Sequence, residues 1–484
     1  MRAEPIDGGS KPAGGIGRPV PPYSLVLSDL PAAAEELLVD RVVREIPGKR
    51  LACVARWKGE EVFAKLFTAR FGRERHWKRE ERGVRAMLAH GIATPALLYS
   101  GATADGATRV LIFERIASAR TALEAWNATN GREEQRPLLA RLSEVLARHH
   151  AAGLVQKDLH LKNFLVGEDQ IFTLDGADII RKRAPLAKSA SIKHLGLLFA
   201  QLYPRDDDLA PEVYAGYARM RGWPAEGGDL KALESVIKRR RARRKTAYLE
   251  KIFRECSAFV CRSDRRRFRV WDRRYDSGAL RAVLADPDQY LGPGTALLKD
   301  GNTATVGVAP VDGRRLVIKR YNIKGVWHGV KRALRPTRAA RAWRHAQLLK
   351  FYGIPTAVPV ALLEKRLGPL RGVAYFIAEH VDGVSCRDYF SASEAPLEEK
   401  QAMAAKVAAL LKALKSVRLS HGDLKATNIL LADHNPVLVD LDAMREHRSD
   451  ASFGPAHARD LERFLRNWEG NPEVARLFEK QLSA

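Results

Sequence analysis

The chain has 484 residues, 46% hydrophobic and 29% charged, so wholesale disorder is excluded and a packed core is expected. Lys and Arg number 82 against 57 Asp and Glu, and the net charge of +25 points to an anionic partner such as nucleic acid, an acidic membrane surface or a phosphorylated substrate. Four scattered cysteines (Cys53, Cys256, Cys261, Cys386) exclude a disulfide scaffold, complete no zinc set and fit a reduced, cytosolic protein.

Residues 1–25 are rich in Gly, Pro and charge, lack the apolar run of a signal peptide and read as a flexible arm. No stretch approaches the roughly 18 uncharged apolar residues of a membrane-spanning helix, so export and spanning are both disfavoured. From residue 26 onward the same elements come twice. A hairpin opens each copy: RLACVARW, a Lys58-Gly59-Glu60 turn and EVFAKLF in the first, then TATVGVAP, an Asp312-Gly313 turn and RLVIKRY in the second. Helical stretches follow at about 73–90 and 337–351, each stopped by a glycine, Gly91 or Gly353. Further strands and a helix-rich remainder complete each copy. The breaker stretch ADPDQYLGPG sets the expected junction, giving a first domain over 26–285 and a second over 286–484.

The duplication is sharpest where QKDLHLKNFLVGEDQIFTLDGAD (156–178) aligns with HGDLKATNILLADHNPVLVDLDA (421–443). Asp158, Asn163 and Asp175 match Asp423, Asn428 and Asp440 at one offset of 265, which Glu114 and Glu379 share. Lys65 and Lys319 each end a strand six residues after a glycine. This order of residues suits phosphoryl transfer. A loop Asp accepts the proton of an attacking hydroxyl, an Asn and a second Asp hold Mg²⁺ against the ATP phosphates, and a strand Lys pairs with those phosphates. A solvated-turn reading would hold for one such Asp, but not for the whole series met twice.

These residues resemble the protein-kinase-like superfamily and, within it, the Kdo/WaaP lipopolysaccharide kinase family, which phosphorylates sugars of the lipopolysaccharide inner core. The resemblance implies an α+β fold of two tandem bilobal domains, each a small β-rich lobe and a larger α-rich lobe. It implies Asp158 and Asp423 as catalytic bases, Asn163, Asp175, Asn428 and Asp440 as metal ligands, and Lys65, Glu80, Lys319, Glu114 and Glu379 as nucleotide-binding residues. Several departures stand out. Neither copy has a GxGxxG loop; Pro47-Gly48 and Asp300-Gly301-Asn302 stand in its place. Glu80 (or Glu81) is placed to pair with Lys65, whereas Ala342 occupies the equivalent position and no acidic residue falls between Asp312 and Glu364. Asp460 is expected to brace the second loop, where the first copy has His194.

Positive charge clusters at KRRRARRK (238–245), RSDRRRFRVWDRR (262–274) and KGVWHGVKRALRPTRAARAWR (324–344). Such runs usually form solvated faces. Trp327 with Lys324, Lys331 and Arg332 would suit an anionic lipid surface, while the absence of a reading module disfavours nucleic acid. The expectation is an ATP- and Mg²⁺-dependent kinase of a core sugar, with heptose the leading acceptor. It would act on a lipopolysaccharide core precursor, peripherally at the cytoplasmic face of the inner membrane. The rival readings are a pseudokinase scaffold and a protein or small-molecule kinase; oligomeric state is left open.

Overall fold

The computed structural model describes residues 20–31, 35–129, 131–224, 226–322, 335–392 and 395–483. Most of the arm read at 1–25 lies outside them, as do Lys324, Trp327, Lys331 and Arg332. The chain divides into two compact units, one holding residues up to Leu202 with Asp206–Arg241, the other Tyr203–Arg205 with Ala242–Ala484. Both mix sheet and helix, as an α+β kinase-like fold requires.

The first unit opens with a six-stranded antiparallel sheet in the order Tyr23–Val26, Glu36–Ile46, Arg50–Trp57, Glu60–Phe67, Arg109–Glu114, Leu97–Ala102. The expected hairpin is its centre, with Arg50 opposite Phe67 and Trp57 opposite Glu60, turned by Lys58 and Gly59 at positive φ. Strand alternation buries Val62, Ala64 and Leu66 in one apolar layer with Cys53 and Ala55. That leaves Lys65 on the other face, above the second layer formed by Phe67, Leu111 and Phe113 with Val84 and Met87 of the helix Arg73–Ala89. A separate helical core follows, built on Arg132–Ala151, Lys188–Phe199 and Ala210–Met220.

The second unit repeats the plan with a seven-stranded sheet in the order Phe259–Ser263, Arg267–Asp272, Pro359–Leu367, Leu370–Glu379, Arg314–Tyr321, Ala304–Val311, Leu297–Gly301. Its helix Arg338–Tyr352 ends on Gly353, whose φ of 67° is the left-handed stop that glycine adopts without strain. The helical core is built on Leu397–Ser416, Asp450–Arg466 and Pro472–Ser483. Breaker residues 286–293 form a short turn inside this unit, because the strand Arg267–Asp272 before them pairs with Pro359–Leu367. The contact division therefore falls at Arg241, earlier than the breaker stretch.

Two of the basic runs are partly interior. Arg241, on the helix Gly227–Lys251, is buried and donates to both carboxylate oxygens of Asp207 at 2.6 and 2.7 Å. Trp343 is fully buried, donates through Nε1 to the carbonyl of Ile252 at 2.9 Å and packs edge-to-face on Phe259. Trp343→Ala is expected to destabilise the second unit by about 3–5 kcal/mol, measured by denaturant unfolding, because it opens a cavity and orphans that carbonyl.

Candidate functional site

In the first unit three sequence-distant segments converge on Lys65. Its ammonium lies 2.5 Å from Glu80 Oε1 and 3.0 Å from Asp175 Oδ1. Burial pulls the lysine pKa down, but the two carboxylates outweigh it and hold Lys65 above its ordinary value. Glu80, rather than Glu81, is the partner: it is fully buried and also accepts from the backbone N–H of Gly176 at 3.0 Å. Glu81 turns to Arg85 one helical turn on. Arg50, at the start of its strand, completes the cluster at 3.5 Å from Glu80 and 3.6 Å from Asp175. Burial raises the Asp175 pKa, and Lys65 with Arg50 more than reverses this, so its carboxylate stays ionised.

The short hairpin Phe164–Val166 with Ile171–Thr173 brings Asn163 to Asp175. Leu174 N–H donates to the Asn163 carbonyl at 2.8 Å, and Asn163 Nδ2 donates to the Asp158 carbonyl at 2.8 Å. Asp158, at the head of this loop, is exposed. Asp175 has φ 61°, a left-handed conformation that costs a non-glycine residue energy and that Asp tolerates better than most.

The second unit reproduces this geometry. Asn428 Nδ2 donates to the Asp423 carbonyl at 2.8 Å, Val439 N–H to the Asn428 carbonyl at 3.0 Å, and Asp440 has φ 59°. Lys319 Nζ lies 2.5 Å from Asp440 Oδ1. The position of Glu80 is Ala342, buried and uncharged, and that of Arg50 is Ala304. The missing charges come from elsewhere: Asp442 beside Asp440, and Arg338, whose guanidinium bonds Asp442. Each unit thus gathers two cations and two carboxylates, Lys65 and Arg50 with Glu80 and Asp175, or Lys319 and Arg338 with Asp440 and Asp442. Burial raises the Asp440 pKa, but a hydrogen bond to Asp442 and the charge of Lys319 bring it down to about 2. Asp442 is pushed up, by burial first and then by Asp440.

Arg50, Arg338 and Asp442 were not legible as site residues. Arg338 sits in a basic run, and Asp442 lies two residues after Asp440 where the first copy has Ala177. Their roles depend on which helix faces which turn.

That facing differs between the units. A Cβ on Gly83 would meet the Gly176 carbonyl oxygen at 1.8 Å, so the helix Arg73–Ala89 rests directly on the turn after Asp175. In the second unit His345 takes the equivalent place, and its Nδ1–H donates to the Leu441 carbonyl at 3.0 Å. An imidazole therefore separates helix from turn, and with that spacing the carboxylate is supplied by the turn instead. Burial pushes the His345 pKa down to about 4, so the ring is neutral at pH 7. Gly83→Ala is expected to push Asp175 away from Lys65, with a tenfold or greater loss of phosphoryl transfer by the first unit. Transfer kinetics beside a His345→Gln control would check it.

The loops are braced by opposite polarities. Asp460 accepts from the backbone N–H groups of His421 and Gly422 at 2.6 and 2.9 Å. In the first unit His194 Nε2–H donates instead to the Gln156 carbonyl at 2.7 Å. That carbonyl sets the direction of a buried chain, since His194 Nδ1 must then accept from His150 (2.7 Å) and His150 Nδ1 from the Tyr217 hydroxyl (2.6 Å). The side chains of Gln156 and His421 are interchangeable, donating to the carbonyls of Leu174 and Val439 at 2.9 and 3.1 Å.

Asp423 also bonds Arg463 at 3.1 Å and Lys425 at 3.2 Å. Glu114 and Glu379 stand apart from these clusters. Glu114 is exposed at the end of its strand, and the Glu379 carboxylate accepts from Tyr275 at 2.8 Å and Arg314 at 2.9 Å. Among the described residues no group of three or more His, Cys, Asp or Glu forms a metal cage. The all-oxygen donors of Asn163 with Asp175, and of Asn428 with Asp440, fit a hard cation such as Mg²⁺ that completes its shell with phosphate and water.

Comparison with known proteins agrees with the repeated geometry. No curated protein matches the chain. The family described as Lipopolysaccharide kinase (Kdo/WaaP) matches it twice, over residues 55–180 and 292–481, so that each match takes in one Lys–Asp–Asn–Asp series and together they span more than half of the sequence. The chain belongs to the lipopolysaccharide kinase (Kdo/WaaP) family, in two tandem copies.

Proposed function

We propose that each unit transfers the γ-phosphoryl group of ATP to a hydroxyl of a lipopolysaccharide inner-core sugar, with heptose the leading acceptor. The observation that carries this reading is the same Lys–Asp contact, left-handed Asp and Asn-to-loop hydrogen bond in both units. Asp158 and Asp423 take the proton of the acceptor hydroxyl as its oxygen bonds to phosphorus and the bond from phosphorus to ADP breaks. Lys65 and Lys319 present their charge to the phosphates. Asn163 and Asp175, or Asn428 and Asp440, would hold Mg²⁺, which when bound would neutralise the charge that builds on the phosphoryl oxygens.

Arg50 takes over part of the work of the missing glycine-rich loop. It follows the turn Pro47-Gly48-Lys49 and sits against Asp175, a guanidinium suited to phosphate oxygens. The second unit has Ala304 there, and its phosphate cover falls to Lys319 and Arg338.

With a core-glycolipid acceptor, the protein would work at the cytoplasmic face of the inner membrane, with its net positive charge favouring that anionic surface. Among the described residues no helix is long and apolar enough to cross a membrane. The deciding experiment is transfer of labelled phosphate from ATP to purified, dephosphorylated core glycolipid. Labelled glycolipid is the expected result. ATP binding without transfer would exclude this acceptor, and no ATP binding would leave a scaffold.

A further inference from the structure

The basic run at 262–274 is not a featureless solvated face. It folds into the outermost hairpin of the second sheet, Phe259–Ser263 with Arg267–Asp272, and the register sets Arg262 directly opposite Arg269. Like charges so placed in a ladder repel, and a fold keeps them only with compensation. One step along the same face Val260 lies opposite Trp271, both buried. The helix Gly278–Ala285 crosses above and brings Arg281 and Leu284. Together these residues and Asp276 line a half-open cavity of about 340 Å³.

Three guanidinium groups and one carboxylate therefore line this cavity, over an apolar floor. The carboxylate of Asp276 is already engaged, accepting from Trp271 Nε1 at 3.2 Å and Arg281 Nε at 2.9 Å. Arg262 bonds Glu255 at 2.8 Å. Arg269 is the least compensated: Asp264, itself held by the N–H groups of Arg266 and Arg267, stays 3.7 Å away. The Arg269 Nε is buried without a hydrogen-bond partner among the described residues.

We propose that this cavity is a binding site for a phosphate group carried on an organic ligand. Guanidinium groups that line one cavity from two strands and a helix suit the oxygens of a phosphate, which accept several charge-assisted hydrogen bonds at once. The volume exceeds that of a bare phosphate and lies in the range of small-molecule sites, and Trp271, Val260 and Leu284 offer an apolar wall for the organic part. The assignment rests on the second sheet alone and is independent of the Lys–Asp–Asn–Asp reading.

The test uses the full chain with inorganic phosphate, followed by thermal unfolding and calorimetry, and compares wild type with the double variant Arg262→Gln/Arg269→Gln. Phosphate is expected to raise the melting temperature of wild type. In the variant, affinity is expected to fall at least tenfold while the melting temperature without phosphate is unchanged or higher, because the opposed charges are gone. A purely structural role predicts a lower melting temperature with the phosphate response retained, and that result overturns the proposal. Loss of the response in Lys319→Met instead would put the phosphate in the other site and equally overturn it. Co-sedimentation with phosphatidic acid vesicles separates the sources. Arginine-dependent binding to vesicles alone assigns a lipid headgroup, arginine-dependent binding of free phosphate assigns a soluble phosphomonoester, and neither refutes the site.

Discussion

Asp423→Ala is expected to cut phosphoryl transfer by the second unit about 10²- to 10⁴-fold, and Asp158→Ala to do the same for the first, with folding intact. The structure separates the two effects. Asp423 is a partly exposed loop residue whose side chain, among the described residues, meets Arg463 and Lys425 in surface ion pairs, each worth at most about 1 kcal/mol. Asp158 is more exposed still. Their loops are held by backbone carbonyls, through Asn163 and Asn428, and those bonds survive loss of the Asp side chain. Labelled-phosphate transfer to core glycolipid, beside circular dichroism of each variant, checks this. If one substitution removes all label, a single unit works; partial loss with each means two sites. An unfolded variant would contradict the assignment of these residues as bases.

Glu80→Ala is expected to act on stability as well as on chemistry. Glu80 is completely buried and receives Lys65, Arg50 and the Gly176 amide, so its removal leaves a desolvated ammonium with Asp175 as its remaining close carboxylate. Breaking a buried pair from one side costs about 3 kcal/mol or more, which for a unit of this size lowers the melting temperature by roughly 10 °C. Nucleotide affinity should fall with it, because Lys65 loses its orienting partner. Glu80→Gln, which keeps the acceptor for Gly176, is expected to lose less. The second unit suggests a rescue: Ala177→Asp added to Glu80→Ala places a carboxylate where Asp442 stands and should recover part of the lost melting temperature. Differential scanning calorimetry of the three variants decides. Equal melting of Glu80→Ala and wild type would show that the buried pair does not hold the unit.

The duplication, the hairpins, the helix stops at Gly91 and Gly353 and the short strands between Asn and Asp were all written in local sequence. Turn residues, strand alternation and spacing act over a few positions, so a reader of the chain recovers them. The repeated Lys, Asp and Asn series was legible for the same reason, and distance to Gly91 narrowed the partner of Lys65 to Glu80 or Glu81, between which burial decides. What the sequence did not disclose was compensation. Lys319 lacks a helix carboxylate, and Asp442 and Arg338 restore the charge balance from a turn and from the helix start. Nor did the basic runs announce that Arg241 is interior or that Arg262 and Arg269 would stand opposed across a ladder. Local sequence determined the Lys, Asp and Asn groups that the two active-site candidates share. Only tertiary packing, Gly83 against Gly176 in one unit and His345 against Leu441 in the other, decided how far the helix stands from the turn and therefore which carboxylates surround each partly buried lysine.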